Sequence, residues 1–182
     1  MRSGRVIEII IRLYNHDTNF NYLLMNTPKH VIEILNELIQ INNDRIKGYE
    51  QALNDTPDTE TDLVVLFDKM KTESVEYISQ LQNAVVQMGG QPAAGTTVPG
   101  KIYRAWMELN MALNGYNRTA LLSCCAHGEQ AAQSAYADAL DNDLPLDVSS
   151  FINVQKAALC YSHDAVHALW NERKTLDQSY VL

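Results

Sequence analysis

Basic residues are in short supply. Lys and Arg total 14 against 22 Asp and Glu, for a formal net charge of -8 at pH 7 and an isoelectric point near 5.0. Nonspecific binding to nucleic acid or to an anionic membrane needs a basic surface, so neither partner is expected. Cysteine is scarce as well. Cys124, Cys125 and Cys160 are an odd count with an adjacent pair, which is no disulfide framework. A reducing, cytoplasmic compartment is the simplest expectation. No apolar run approaches the roughly 20 residues that cross a bilayer. Nucleophile elbows, phosphate loops, dinucleotide fingerprints and zinc-knuckle spacings are all missing. What remains is ordinary globular composition, 46% hydrophobic and 20% charged over 182 residues, enough for one domain with a real core.

Helical periodicity organises the chain from residue 25 to residue 174 into one domain. The first helical segment runs from about 28 to 54, with Thr27 as N-cap and Pro28 in the first turn. Its apolar stripe is Val31, Leu35, Leu38, Asn42, Arg45 or Ile46, Tyr49 and Leu53. A turn at Asp55-Thr56-Pro57-Asp58 leads to a second segment, about 60 to 88. Its stripe is Leu63, Leu66 or Phe67, Met70, Glu73, Tyr77, Leu81, Val85 and Met88. Gly89-Gly90 stops it. A long connection, 89–117, carries a short helical segment from 101 to 113 with Trp106 on its apolar side. The third long segment, 118 to 140, has Asn117 as N-cap and the stripe Leu122, Cys125, Glu129, Ala132, Tyr136 and Leu140. The fourth, 147 to 174, turns Ile152, Leu159, His163, Val166 and Trp170 inward. Residues 1–24 read as a poorly packed N-terminal extension and 175–182 as a frayed tail.

This order predicts an all-α, ferritin-like four-helix bundle. Short turns make two antiparallel helical hairpins, and one long crossover with its own short helix joins them. Residue counting at about 1.5 Å per helical residue puts Glu73, Glu129 and His163 in one layer, within roughly a turn. Acids and imidazoles on inner stripes are how bundles build di-metal sites. The candidate metal set is therefore Glu73, Glu129 and His163, with Glu50 or Glu76 completing it. The first helix interrupts the pattern, because Glu50 falls roughly 12 Å out of the layer. The second helix offers Glu73-x-x-Glu76 and the fourth Cys160-x-x-His163, where di-metal bundles use Glu-x-x-His. The competing reading is a satisfied polar core of Asn42, Arg45, Tyr49, Glu73, Tyr77, Glu129, Tyr136 and His163, in which Arg45 or Asn42 and the tyrosines compensate the carboxylates. His163 and His167 also have the i, i+4 spacing that can hold a metal. Buried Cys125 acts as a small hydrophobe. Gly48 and Gly128, mid-helix at a cost of about 1 kcal/mol each, suit close helix packing.

Several runs add a resemblance. They are Leu35-Asn36-Glu37-Leu38-Ile39 through Asn43-Asp44-Arg45-Ile46-Lys47-Gly48-Tyr49, then Arg104-Ala105-Trp106-Met107-Glu108-Leu109. Gly128-Glu129-Gln130-Ala131-Ala132, Ala135-Tyr136, Leu144-Pro145 and His163-Asp164 follow. Over about 28–172 the chain resembles a bacterial domain-of-unknown-function family of ferritin-like four-helix-bundle proteins. The resemblance implies the fold, and it places Glu73, Glu129 and His163 where related di-metal proteins carry ligands. It implies no activity.

The expected function is that of a noncatalytic structural or stress-associated bundle, a homo-oligomer with no catalytic residues and no cofactor. The alternatives are an iron- or manganese-binding oxidase or storage protein and a helical interaction module using the acidic faces or Trp106.

Overall fold

The computed structural model describes residues 28–97 and 116–179, with side chains to residue 172. These residues form four helices and no strand: α1, Pro28–Asp55; α2, Thr61–Gln87; α3, Arg118–Leu140; and α4, Leu146–Ser179. The expectations for residues 1–24 and for a short helix at 101–113 lie outside the described residues. α4 continues to Ser179, through the first part of the segment read as a tail.

Local chemistry sets the helix ends. Asn117 caps α3, its Oδ1 accepting from the Ala120 backbone N–H at 3.0 Å, which satisfies one of the donors a helix start leaves open. α2 ends through Gly89, at φ 77°, a left-handed conformation that glycine takes without strain. Gly90 follows, its N–H donating to Val85 O at 2.9 Å. A Cβ there would stand 2.9 Å from Ile32 Cγ2, so any side chain at this position would force Ile32 to shift. The chain thus turns onto the flank of α1 at its first step beyond α2.

The helices bury repeating inner rows. α2 buries Leu63, Phe67, Met70, Ser74, Tyr77, Leu81 and Val85. α4 buries Val148, Ile152, Gln155, Leu159, Ser162 and Val166. These steps of three and four residues keep one face inward. α1 packs along α2 and α3 along α4; α1 also packs on α3, and α2 meets α4 lightly. At one end, His30 Nε2 and Asn142 Oδ1 stand 3.1 Å apart. At the other, Arg118 pairs with Glu60 and Asp62. α2 and α3 therefore run in the same direction, and the chain between them must climb the length of the bundle. Residues 91–97 begin that climb along α1. Asn36 donates to Gln91 O and accepts from Ala93 N, Asn43 donates to Gly95 O, and Thr97 Oγ1 donates to Asp44.

No helix among the described residues is long and apolar enough to cross a membrane.

Candidate functional site

The polar residues of the bundle's middle fall into two layers. In the first, α1 contributes Arg45 and Tyr49, α3 Glu129 and α2 Ser74. Arg45 and Glu129 side chains are each 1% exposed. The Arg45 guanidinium grips the carboxylate edge-on. Nε donates to Oε1 at 2.9 Å and Nη2 to Oε2 at 3.0 Å. Tyr49 OH donates to Oε1 at 2.6 Å. The far side of the guanidinium is satisfied as well, Nη1 donating to Ser74 Oγ at 2.6 Å. Ser74 in turn donates to the Met70 carbonyl at 3.0 Å. Such a two-pronged pair recovers the cost of burying both ions only when the remaining polar atoms are satisfied.

Electrostatics fixes these protonation states. Burial alone disfavours the Arg45 charge, but Glu129, Tyr49 and Tyr136 together outweigh burial and raise the guanidinium pKa. Burial, reinforced by Glu129, lifts Tyr49 well above its ordinary range. Arg45 is therefore a cation and Tyr49 a neutral donor at neutral pH.

The second layer is neutral and crosses the whole bundle. Asn42 Nδ2 donates to Leu38 O at 2.8 Å and to Tyr136 OH at 2.7 Å. Tyr136 OH donates to Gln155 Oε1 at 2.8 Å, and Gln155 Nε2 donates to Gln80 Oε1 at 2.8 Å. One chain of hydrogen bonds thus joins α1, α3, α4 and α2. Burial raises Tyr136 above the ordinary tyrosine range, so it too stays protonated.

Glu73 and His163, inward by sequence pattern, lie elsewhere. The row of α2 passes through Ser74, and that of α4 through Ser162, each one residue beside the group the pattern favoured. The Glu73 side chain is 22% exposed and pairs with Lys69 at 3.5 Å. It also accepts from Ser162 Oγ at 3.4 Å. His163 is 27% exposed, with Nδ1 at 3.3 Å from its neighbour Asp164. Glu50 and Glu76 are exposed. Tyr77 is buried, its pKa pushed up to about 12 by burial and then by the Glu73 charge. Arg45, one option beside Ile46, takes the inward position. Among the described residues no three His, Cys, Asp or Glu are grouped so that they could hold a metal ion.

Sequence reasoning missed Ser74, Gln80, Gln155 and the burial of Asp44. Gln155 continues the α4 row and could have been read from its period. Asp44 sits one step off the α1 stripe, yet it is fully buried. Its cover comes from Thr97, whose hydroxyl donates to Oδ2. Oδ1 has no hydrogen-bond partner. Burial raises the Asp44 pKa against the opposing pull of Thr97. Cys124 and Cys125 are buried. Burial pushes Cys124 to about 11 and Cys125 well above its ordinary range, so both are thiols, and thiols make poor nucleophiles.

The sequence profile of a domain of unknown function, DUF2383, matches residues 30–142. That is more than half of the chain. The chain belongs to this family. The DUF2383 match takes in α1, α2 and α3 and therefore Arg45, Tyr49, Ser74 and Glu129, whereas α4 with Gln155 and His163 lies past its end. No curated protein matches the chain.

Proposed function

We propose that this DUF2383 protein is a noncatalytic, ferritin-like bundle with a structural or stress-associated role in the cytoplasm, acting as a homo-oligomer. The observation that carries the reading is the state of Glu129. A di-metal bundle needs carboxylates that turn lone pairs toward a shared ion. Glu129 spends both oxygens on Arg45 and Tyr49 of the facing helix. The guanidinium puts a fixed positive charge where a metal would sit, and the two cations would repel.

Two further observations support the reading. The described large apolar side chains that are exposed lie on α2 (Val65, Val75, Val86) and α4 (Leu146, Val154, Tyr161), with Tyr116 apart. Self-association would draw on these outer faces. None of the three cysteines is joined in a disulfide, in keeping with a reducing compartment.

The test is metal loading with Fe(II) or Mn(II) under anaerobic conditions, followed by metal counting and sedimentation. The expected result is no bound iron or manganese in a chain sedimenting above monomer mass. Two equivalents, lost together in Glu73→Ala and Glu129→Ala, would overturn the reading in favour of an oxidase or a storage protein.

A further inference from the structure

Outside the polar layers, one cluster of metal-ligating groups has no part in packing the core. His163 and His167 are one turn apart on α4, where i and i+4 side chains are neighbours. Their ring centroids are 5.6 Å apart with planes inclined at 33°. Two imidazoles bound to one ion at about 2.1 Å per bond place their centroids roughly 5 Å apart. The ring separation is thus close to that of a chelating pair, and both rings are only partly buried.

The surroundings of the rings fit the same use. Asp164 Oδ1 stands 3.3 Å from Nδ1 of His163. A carboxylate at Nδ1 holds the ring proton there and leaves the Nε2 lone pair for a metal, as in carboxylate–histidine–metal arrangements. The Asn171 amide reaches Nδ1 of His167 at 2.8 Å. Its Nδ2 faces the ring; turned end over end, it offers Oδ1 to an Nδ1–H and frees Nε2 in the same way. Trp170 packs edge-on against His167 at 5.4 Å.

We infer that His163 and His167 form a two-imidazole chelate on α4 for a late first-row divalent cation. Zn(II) and Cu(II) prefer imidazole nitrogen, and Cu(II) binds tightest. Water completes the coordination shell, because no third protein ligand is grouped with the pair among the described residues. The site is separate from Glu129 and from the absence of iron proposed above.

Calorimetric titration of the full chain with CuCl2 and then ZnCl2, in a non-coordinating buffer, tests this. One equivalent should bind with micromolar affinity, copper more tightly than zinc. Binding should weaken as pH falls, since metal and proton compete for the rings. His163→Ala and His167→Ala should each lower affinity at least tenfold with unchanged melting temperature, while His30→Ala and His127→Ala leave it unaltered. Asn171→Leu, which removes the amide beside Nδ1 of His167, should cost a few-fold. Copper should also quench Trp170 emission in a Trp106→Phe background. Absence of binding, or binding and quenching that survive in both His163→Ala and His167→Ala, would refute the site.

Discussion

The two polar layers are adjacent in the same core and solve one problem differently. The upper layer buries a full charge pair, and the lower holds only amides and a phenol, running from buried Asn42 out to exposed Gln80. In the upper layer Arg45 and Glu129 must stay together, because either ion alone would be stranded in a medium that solvates it poorly. In the lower, Asn42, Tyr136, Gln155 and Gln80 pass a hydrogen bond from helix to helix with no net charge. Losing one member there costs a bond and not an unpaired ion. The contrast teaches that a carboxylate on an inner stripe is identified by its partner. Glu129 has an arginine across from it and is buried. Glu73 has Lys69 and a serine beside it and stays at the rim.

The largest effect should come from splitting the charge pair. Arg45→Met or Glu129→Leu alone should cost about 3–5 kcal/mol in urea unfolding, the range for a buried ion left unpaired. The double variant should regain most of that loss. Equal losses in single and double variants would show that the pair itself contributes more than its desolvation costs.

The neutral layer should respond less. Tyr136→Phe keeps the ring but deprives Asn42 and Gln155 of their partner, and about 1–3 kcal/mol should be lost. A loss matching the charge pair would erase the distinction between the layers.

Smaller still is the clamp of Arg118 on Glu60 and Asp62 at the end of the bundle. Arg118→Ala should cost about 0.5–1 kcal/mol, shrinking with added salt. The hydrogen bond from Arg118 holds the Asp62 carboxyl below its usual range. Its contribution is therefore complete above the ordinary Asp pKa of about 3.9. It is lost as pH falls through the lower folded value. A difference between wild type and variant that stays flat from pH 7 down through pH 2 would contradict this. Smallest of all, Glu73→Gln should shift stability by under about 0.5 kcal/mol; a change as large as that of Glu129→Leu would return Glu73 to the core.

Most of the architecture could be read from the chain because it rests on local chemistry. The Asn117 cap, the Gly89-Gly90 stop and the long 89–117 connection follow from residue type and spacing. The polar site was harder, for a geometric reason. Between Met70 and Tyr77 the inner row can step by three to Glu73 or by four to Ser74, and periodicity allows both. The same ambiguity on α4 separates His163 from Ser162. Side-chain size and charge decide it: a serine leaves room for the guanidinium of Arg45, and the charged neighbour keeps contact with water. Asp44 could not be placed by period at all, because it is covered by the irregular segment 91–97.

The pairing of Arg45 with Glu129 has a consequence for the order in which the molecule comes apart. The two residues are 84 positions apart in the chain, one in each hairpin. Their contact requires the α1–α2 and α3–α4 hairpins to be docked on one another. An interaction completed after the rate-limiting step leaves the folding rate almost untouched and is felt in the unfolding rate. The buried pair would then act as a latch on an assembled bundle, governing how long the halves stay joined more than how fast they meet.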